Sequence, residues 1–175
     1  MYLRLKGSNK PKTFHSAVER ALSYVVKVIG NKPLHANSRD DARWLLALIS
    51  DTGMRLSEAL GLSRDDIRLS EDIPHILIRP HSWWRLKTIG SKRKVPLIGS
   101  ALWAAQRIMK GHDSSLAFPS FCNGQVLKSN AVSANLNRWL KLKIGDEYVI
   151  HSLRQSLRDR LRAVDYPYLV CYPSL

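Results

Sequence analysis

The spacing of apolar residues along the chain predicts a mostly helical protein. Between residues 13 and 29 apolar side chains recur at steps of three and four, and Gly30 follows where a helix would end. Ser38 and Asp41 resemble a capping box that opens a second helix. The same spacing predicts helices over residues 38–49, 55–62, 100–110, 129–142 and 152–164.

The region from Ile73 to Leu97 has a different pattern. Apolar residues there sit in short alternating runs that are typical of strands, and Pro80 and the Ile89-Gly90-Ser91 stretch separate the runs. We expect a small antiparallel sheet of two or three strands. The predicted fold class is therefore mostly α with a small antiparallel β-sheet (α+β).

The charge balance indicates an anionic partner. Lysine and arginine number 28 against 14 aspartate and glutamate residues, a formal charge of +14. Because 45% of the residues are hydrophobic and 24% are charged, the chain should fold with its excess charge on the surface. A folded, strongly basic chain without a basic amphipathic helix favours nucleic acid over a membrane surface.

Targeting signals and cysteine content predict a cytoplasmic protein. No apolar segment follows the basic residues at the amino terminus, and the longest apolar run, Trp44 to Ile49, is far shorter than a membrane span. Cys122 and Cys171 are too few for a disulfide scaffold and lack zinc-site spacing. We therefore expect a reducing compartment, no membrane contact and no structural metal.

The first candidate site is the segment DTGMRLSEALGL, residues 51–62. Gly53 ends one predicted helix and Arg55 begins the next, so the guanidinium projects beside a helix amino terminus, where an oxyanion is favoured. Glu58 lies three residues on, on the same helical face, and is placed to orient the guanidinium. An ordinary surface Arg–Glu pair is the alternative.

The second candidate is the segment RLKTIGSKRKVPL, residues 85–97. It resembles a β-hairpin in which five of the ten residues from 85 to 94 are basic. Such a hairpin is suited to lie along phosphates, and a lysine on its first strand is placed to donate a proton. We expect DNA contacts from the basic side chains, which are Arg85, Lys87, Lys92, Arg93 and Lys94. A solvated, charge-protected edge strand is the alternative.

The third candidate is the start of the last predicted helix, where His151 and Arg154 lie three residues apart and so share one face. An imidazole exchanges protons near neutral pH and a guanidinium neutralises phosphate charge, so the pair suits acid–base work on a phosphate. A helix cap or a surface histidine is the alternative.

These three segments, in this order, resemble the catalytic domain of the tyrosine recombinases, the phage integrase family. The resemblance covers about residues 38–165 and rests on a Thr-Gly-x-Arg-x-Ser-Glu-x-Leu box, a lysine-containing basic hairpin ending in Val-Pro-Leu, and a His-x-x-Arg helix. It implies an integrase-like catalytic domain from a phage, prophage or other mobile element. It also implies site-specific recombination or integration of duplex DNA by phosphoryl transfer through a 3′-phosphotyrosyl intermediate.

The resemblance also implies a role for each matching residue. Arg55 and Arg154 would grip the scissile phosphate. Lys87 would protonate the departing 5′ oxygen, and His151 would assist proton movement at the nucleophile. Glu58 would support the first box. Family chemistry needs neither a metal nor a small-molecule cofactor, because the two guanidiniums supply the positive charge.

The match is incomplete at the carboxyl-terminal side. In the family a Gly-His or Gly-Trp pair and then a nucleophilic tyrosine follow the His-x-x-Arg helix, the tyrosine roughly thirty residues after the arginine. Here 21 residues follow Arg154, and they contain Tyr166, Tyr168 and Tyr172 but no such pair. We expect the nucleophile to be missing by truncation, frameshift or degeneration, with Tyr172 the least unsuited substitute, and the chain to bind DNA without cleaving it.

The predicted organisation has three parts. Residues 1–33 form a basic arm and a single helix, a remnant of the helical DNA-clamping domain that integrases usually carry. Residues 34–165 form the catalytic domain, and residues 166–175 an irregular tail. Without a clamp, we expect duplex DNA to bind with a Kd of about 10⁻⁴ to 10⁻⁶ M.

Three other functions stay open at this stage. A non-catalytic basic DNA-binding module would use the same arginines and lysines only as backbone contacts. A type IB topoisomerase-like enzyme would share the active-site chemistry. An RNA-binding protein is less favoured because no glycine-aromatic stacking motif is present. The target sequence, the direction of reaction and assembly of several copies on DNA are also open.

Overall fold

The computed structural model describes residues 36–86, 88–143 and 145–162. The helix predicted over residues 13–29, Lys87, and the tail with Tyr166, Tyr168 and Tyr172 lie outside the described residues. The described α-helices are α1 (Ala36–Thr52), α2 (Leu56–Leu60), α3 (Gly99–Gly111), α4 (Ser129–Lys143) and α5 (Ile150–Arg162). The strands are β1 (Ile67–Arg68), β2 (His75–Ile78) and β3 (Arg93–Pro96), and 3₁₀ turns cover Arg64–Asp66 and Ile89–Ser91.

The predicted fold class is confirmed, since helices dominate and the three strands form one antiparallel sheet in the order β1-β2-β3. In the register, Ile67 lies opposite Ile76, which in turn lies opposite Val95. One strand was missed: β1 precedes the region predicted to be extended. A strand of two residues is too short to show the alternation on which the prediction depends.

The predicted hairpin over residues 85–97 is wrong. Arg93 and Lys94 lie within β3, which pairs with β2, so the connection between the two strands runs from residue 79 to residue 92. Pro80 lies two residues after the end of β2, and a bridge between His81 and Trp84 turns the chain before the basic segment begins. Residues 85–86 and 88–92 therefore lie outside the strands, and the second 3₁₀ turn covers Ile89–Ser91.

The predicted cap at Ser38 and Asp41 is also wrong, because α1 already begins at Ala36. Asp41 lies inside the helix and is buried, and its Oδ2 accepts a hydrogen bond from the backbone N–H of Ser120 at 3.2 Å. Burial raises the pKa of the Asp41 carboxyl above its ordinary value, although the bonds from Ser120 oppose that shift. This carboxylate ties α1 to the loop after α3 and does not cap a helix.

The core lies around α1, which packs against α3 and α5. Leu45, Leu48 and Ile49 of α1 are almost completely buried, as are Ile76 of the sheet and Ile108 of α3. Burying each such side chain stabilises the fold by about 1.5–3 kcal/mol. Among the described helices, none is long and apolar enough to cross a membrane.

A polar cluster fixes α5 at the carboxyl end of α1. Asp51 Oδ1 accepts from Arg160 Nη1 at 3.0 Å, and Asp51 Oδ2 accepts from the backbone N–H of Ser100 at 2.8 Å. Arg160 Nη2 also donates to the carbonyl oxygen of Ser50. One carboxylate therefore joins α1, α3 and α5, directly beside the segment that follows α1.

Candidate active site

The first predicted site segment is a three-residue connection between α1 and α2. Gly53 has a φ of +61°, and its N–H donates to the carbonyl oxygen of Ile49 at 2.9 Å, which ends α1. Met54 is buried and anchors the connection in the core. Arg55 has extended backbone dihedrals, and its side chain is 40% exposed. The connection therefore holds Arg55 at the surface between two fixed helices.

Glu58 is buried beneath Arg55, with 2% of its side chain exposed. Its Oε1 accepts from Arg55 Nη1 at 2.7 Å, and its Oε2 accepts from the backbone N–H of Arg55 at 2.9 Å. Burial alone would raise the pKa of the Glu58 carboxyl, but hydrogen bonds from Arg93 and Arg55 outweigh it and hold that pKa below its ordinary value. This is a buried, ionised carboxylate, not an exposed surface pair.

Arg93 is the second partner of Glu58. Arg93 Nη2 donates to Oε2 at 2.8 Å and Nη1 lies 3.3 Å from Oε1. We predicted that Arg93 would contact DNA from a hairpin turn, but its guanidinium faces the interior, with 21% of the side chain exposed. By contrast, Arg85, Lys92 and Lys94 are exposed, and their DNA contacts stay a prediction.

Sequence reasoning missed the role of Arg93, although β3 carries a signal for it. Successive side chains of a strand point to opposite faces, so Arg93 lies on the same face as the buried Val95, while Lys94 lies on the opposite, exposed face. Applying this two-residue alternation backwards from Val95 separates the inward arginine from its exposed neighbour.

The structure brings Arg154 to the first segment. Arg154, on α5, donates through Nη1 to the carbonyl oxygen of Gly53, two residues before Arg55. Leu157 lies one turn further along α5, and a Cβ added to Gly53 would lie 2.8 Å from Leu157 Cδ2. The close packing of α5 on Gly53 therefore sets where the guanidinium of Arg154 lies.

His151 lies in the first turn of α5, is exposed, and has its Nε2 3.4 Å from Gln155 Nε2. It is one helical turn before Arg154, as predicted. Lys87 lies outside the described residues, but the loop closes just after it, where Ser91 N–H donates to the carbonyl oxygen of Thr88 at 3.0 Å. Within the described parts of the chain, no three His, Cys, Asp or Glu side chains are grouped to hold a metal ion.

Gly53→Ala should destabilise the fold through both its backbone and its neighbour. An alanine at positive φ costs about 1–2 kcal/mol, and displacing Leu157 should add about 1 kcal/mol. Gly124→Ala is the matched control, because Gly124 has a φ of +82° and nothing within 4 Å of an added Cβ. Urea denaturation measures both variants, and equal losses would show that the packing of Leu157 on Gly53 contributes nothing.

Comparisons with known proteins agree with this fold. The family model described as phage integrase family matches residues 17–167. The chain is similar to the Tn1549 transposon integrase in complex with circular intermediate DNA, with 16% identity, a TM-score of 0.59, and coverage of 95% of this chain and 57% of that one. A search among curated proteins found no match.

A second similar structure is the XerH site-specific recombinase bound to its difH substrate in a pre-cleavage complex. It is 26% identical with a TM-score of 0.59, and the alignment covers 85% of this chain and 43% of that one. The chain thus spans about half the length of these two relatives. Because the family model covers most of the chain, and the segment of Arg55 meets the helix of Arg154, the chain belongs to the phage integrase family, the tyrosine recombinases.

Proposed function

We propose that this chain is the catalytic-domain part of a site-specific DNA recombinase that grips one phosphodiester between Arg55 and Arg154. The observation that carries the proposal is the hydrogen bond from Arg154 to the Gly53 carbonyl, which brings a residue 101 positions away to the segment that holds Arg55. Family membership supports the reaction class, and the contact of Arg154 with Gly53, two residues before Arg55, supports a phosphate site shared by the two arginines.

The chemistry of the two arginines fits an in-line phosphoryl transfer. A guanidinium has five N–H donors, and Arg55 engages Glu58 through Nη1, so donors are left for a phosphate oxygen. Fixed cationic donors stabilise the charge that develops on the phosphoryl oxygens in the transition state. In this proposal Lys87 protonates the 5′ oxygen and His151 assists proton movement at the nucleophile.

Duplex DNA is the proposed partner. The excess of 14 positive charges favours a polyanion. Arg85 and Lys92 are exposed on the β2–β3 connection, and Lys94 is exposed on β3. Lys92 and Lys94 flank Arg93, which reaches Glu58 beneath Arg55. The similar integrase structure is a complex with circular intermediate DNA, and the similar recombinase structure is bound to difH substrate. We propose assembly of several copies on DNA as the working form, with residues 1–33, 34–165 and 166–175 as arm, catalytic domain and tail.

The nucleophile is the open part of the proposed reaction. Tyr148 is the one tyrosine among the described residues, and it belongs to the loop before α5. The stretch VDYPYLVCYPSL, which lies outside the described residues, has no Gly-His or Gly-Trp pair. We therefore expect this polypeptide to bind DNA without forming a phosphotyrosyl bond.

Two assays test the proposal together. Fluorescence anisotropy with a short duplex should give a Kd of about 10⁻⁴ to 10⁻⁶ M near physiological salt, and the affinity should fall steeply as salt rises. Incubation with a nicked suicide duplex should give no covalent adduct on a denaturing gel. An adduct would identify a nucleophile in this chain, and salt-independent binding would contradict the electrostatic interface.

The salt dependence of DNA binding and a plasmid-relaxation assay separate the alternative functions. If Arg55 and Arg154 only contact the DNA backbone, each alanine variant should lower the salt slope of binding by about one unit and do nothing else. Relaxation of supercoiled plasmid would favour the topoisomerase-like activity over recombination.

A further inference from the structure

Glu58 carries an unusual concentration of hydrogen bonds for a single buried side chain. Four N–H groups face its two oxygens: the backbone and Nη1 of Arg55, and Nη1 and Nη2 of Arg93. Each oxygen has one donor from each arginine. The carboxylate is therefore shared between the exposed Arg55 and the more buried Arg93.

We propose that Arg93 is a positioning residue that orients Arg55 for its phosphate through Glu58, an inference that rests on the phosphate site proposed above. Arg93 does not touch the substrate in this arrangement. It fixes the carboxylate that in turn fixes the catalytic guanidinium.

The anchoring of Arg93 gives the arrangement its direction. Arg93 pairs with Ile78 in the sheet, and its Nη1 also donates to the carbonyl oxygen of Ser91 at 3.0 Å. Arg55, by contrast, lies in a three-residue connection and is 40% exposed. Arg93 is held through its backbone by β3 and through its guanidinium by two acceptors, Glu58 and the Ser91 carbonyl. Because Arg93 is fixed in this way, it restricts the rotamers of Glu58. The rigid sheet thereby sets the position of a guanidinium on a short connection.

Charge leads to the same conclusion. Glu58 alone would neutralise Arg55, because one buried carboxylate would face one guanidinium. With Arg93 present, the three side chains sum to +1, so a net positive charge is left to attract an oxyanion. Together with Arg154 of the proposed site, this leaves a net positive charge to face a singly charged phosphodiester.

The test titrates dimethyl phosphate into the whole chain and follows the NMR resonance of the Arg55 Nε–H group. Dimethyl phosphate is a phosphodiester that stays singly charged across the working pH range. Arg93→Met should weaken binding about ten-fold and shift this resonance in the free protein. Arg93→Lys should weaken it about three-fold, since an ammonium keeps the charge without the two-pronged geometry. The control is Arg68→Met, which removes an exposed charge from β1, and it should leave the resonance unchanged.

A double-mutant cycle separates an action through Glu58 from direct contact. In a Glu58→Gln background, Arg93→Met should change the affinity less than two-fold. An equal loss in both backgrounds would mean that Arg93 touches the anion itself and would overturn the proposal. If Arg93→Met does not fold, Arg93→Lys decides: wild-type affinity and an unshifted Arg55 resonance would overturn it.

The failure of this inference is distinguishable from the failure of the proposed function. If Arg55→Ala and Arg154→Ala bind dimethyl phosphate as well as the wild type, the phosphate site itself is wrong. If those two variants lose binding while Arg93→Met behaves as Arg68→Met does, only the role of Arg93 is wrong.

Discussion

Arg154→Ala should lower the rate of strand cleavage by about 10²-fold to 10³-fold in a chain that carries the nucleophilic tyrosine. The hydrogen bond to the Gly53 carbonyl places this guanidinium beside the segment of Arg55. Without the Arg154 guanidinium, Arg55 alone must stabilise the charge that develops on the phosphoryl oxygens. Duplex affinity should fall only about three-fold, because one phosphate contact among many is lost. Single-turnover cleavage of a suicide duplex and anisotropy at the same salt measure the two effects.

Arg158→Ala is the matched control for this result. Arg158 lies one turn further along α5, and its Nη1 donates to Gln155 Oε1 at 3.3 Å. The Arg158→Ala substitution removes the same charge from the same helix, away from the contact with Gly53. Cleavage by this variant should stay within about two-fold of the wild type. Equal losses from both variants would contradict a specific role for Arg154 and favour a general electrostatic one.

Glu58→Gln should cost about 3–5 kcal/mol of folding stability, because removing one member of a buried ionic group leaves its partners uncompensated. Two guanidiniums face this carboxylate, and Gln supplies one acceptor oxygen in place of two. Asp40→Asn is the control, since the Asp40–Arg43 pair has the same spacing but its carboxylate is half exposed, and it should cost less than about 1 kcal/mol. Denaturant unfolding at neutral pH measures both variants, and similar losses would contradict a buried ionised Glu58.

The pH dependence of folding stability in the wild type and in Glu58→Gln supplies a second measurement. The pKa of Glu58 is lower in the folded chain than its ordinary value of 4.5. A depressed carboxyl pKa contributes stability that is fully present above the unfolded value and is lost as pH falls through the folded value. The stability difference between wild type and Glu58→Gln should therefore be constant above about pH 5 and shrink below about pH 4.5. A difference that grew on acidification would mean that the folded chain raises the pKa of Glu58 above its ordinary value.

The segments that hold Arg55 and Arg154 were predictable because their sequence signals are local. Gly53 and Arg55 lie within one turn-and-helix segment, and His151 and Arg154 lie one turn apart on a single helix. The basic hairpin was not predictable in the same way. Its strand pairing depends on β2, which lies 15 or more residues before β3, and on turns at Pro80 and Ile89–Ser91 that local alternation does not reveal.

The sequence by itself determined the helical class, the small sheet, the basic surface and the order of the motifs, because these depend on periodicity, composition and short spacings. Only the tertiary structure decided that Arg154 reaches the Gly53 carbonyl and that Arg93 turns inward to Glu58 while Lys94 does not. These pairings join residues far apart in the chain. They form because a buried carboxylate and a buried carbonyl need donors, and the packing of α5 and β3 determines which basic residues are close enough to supply them.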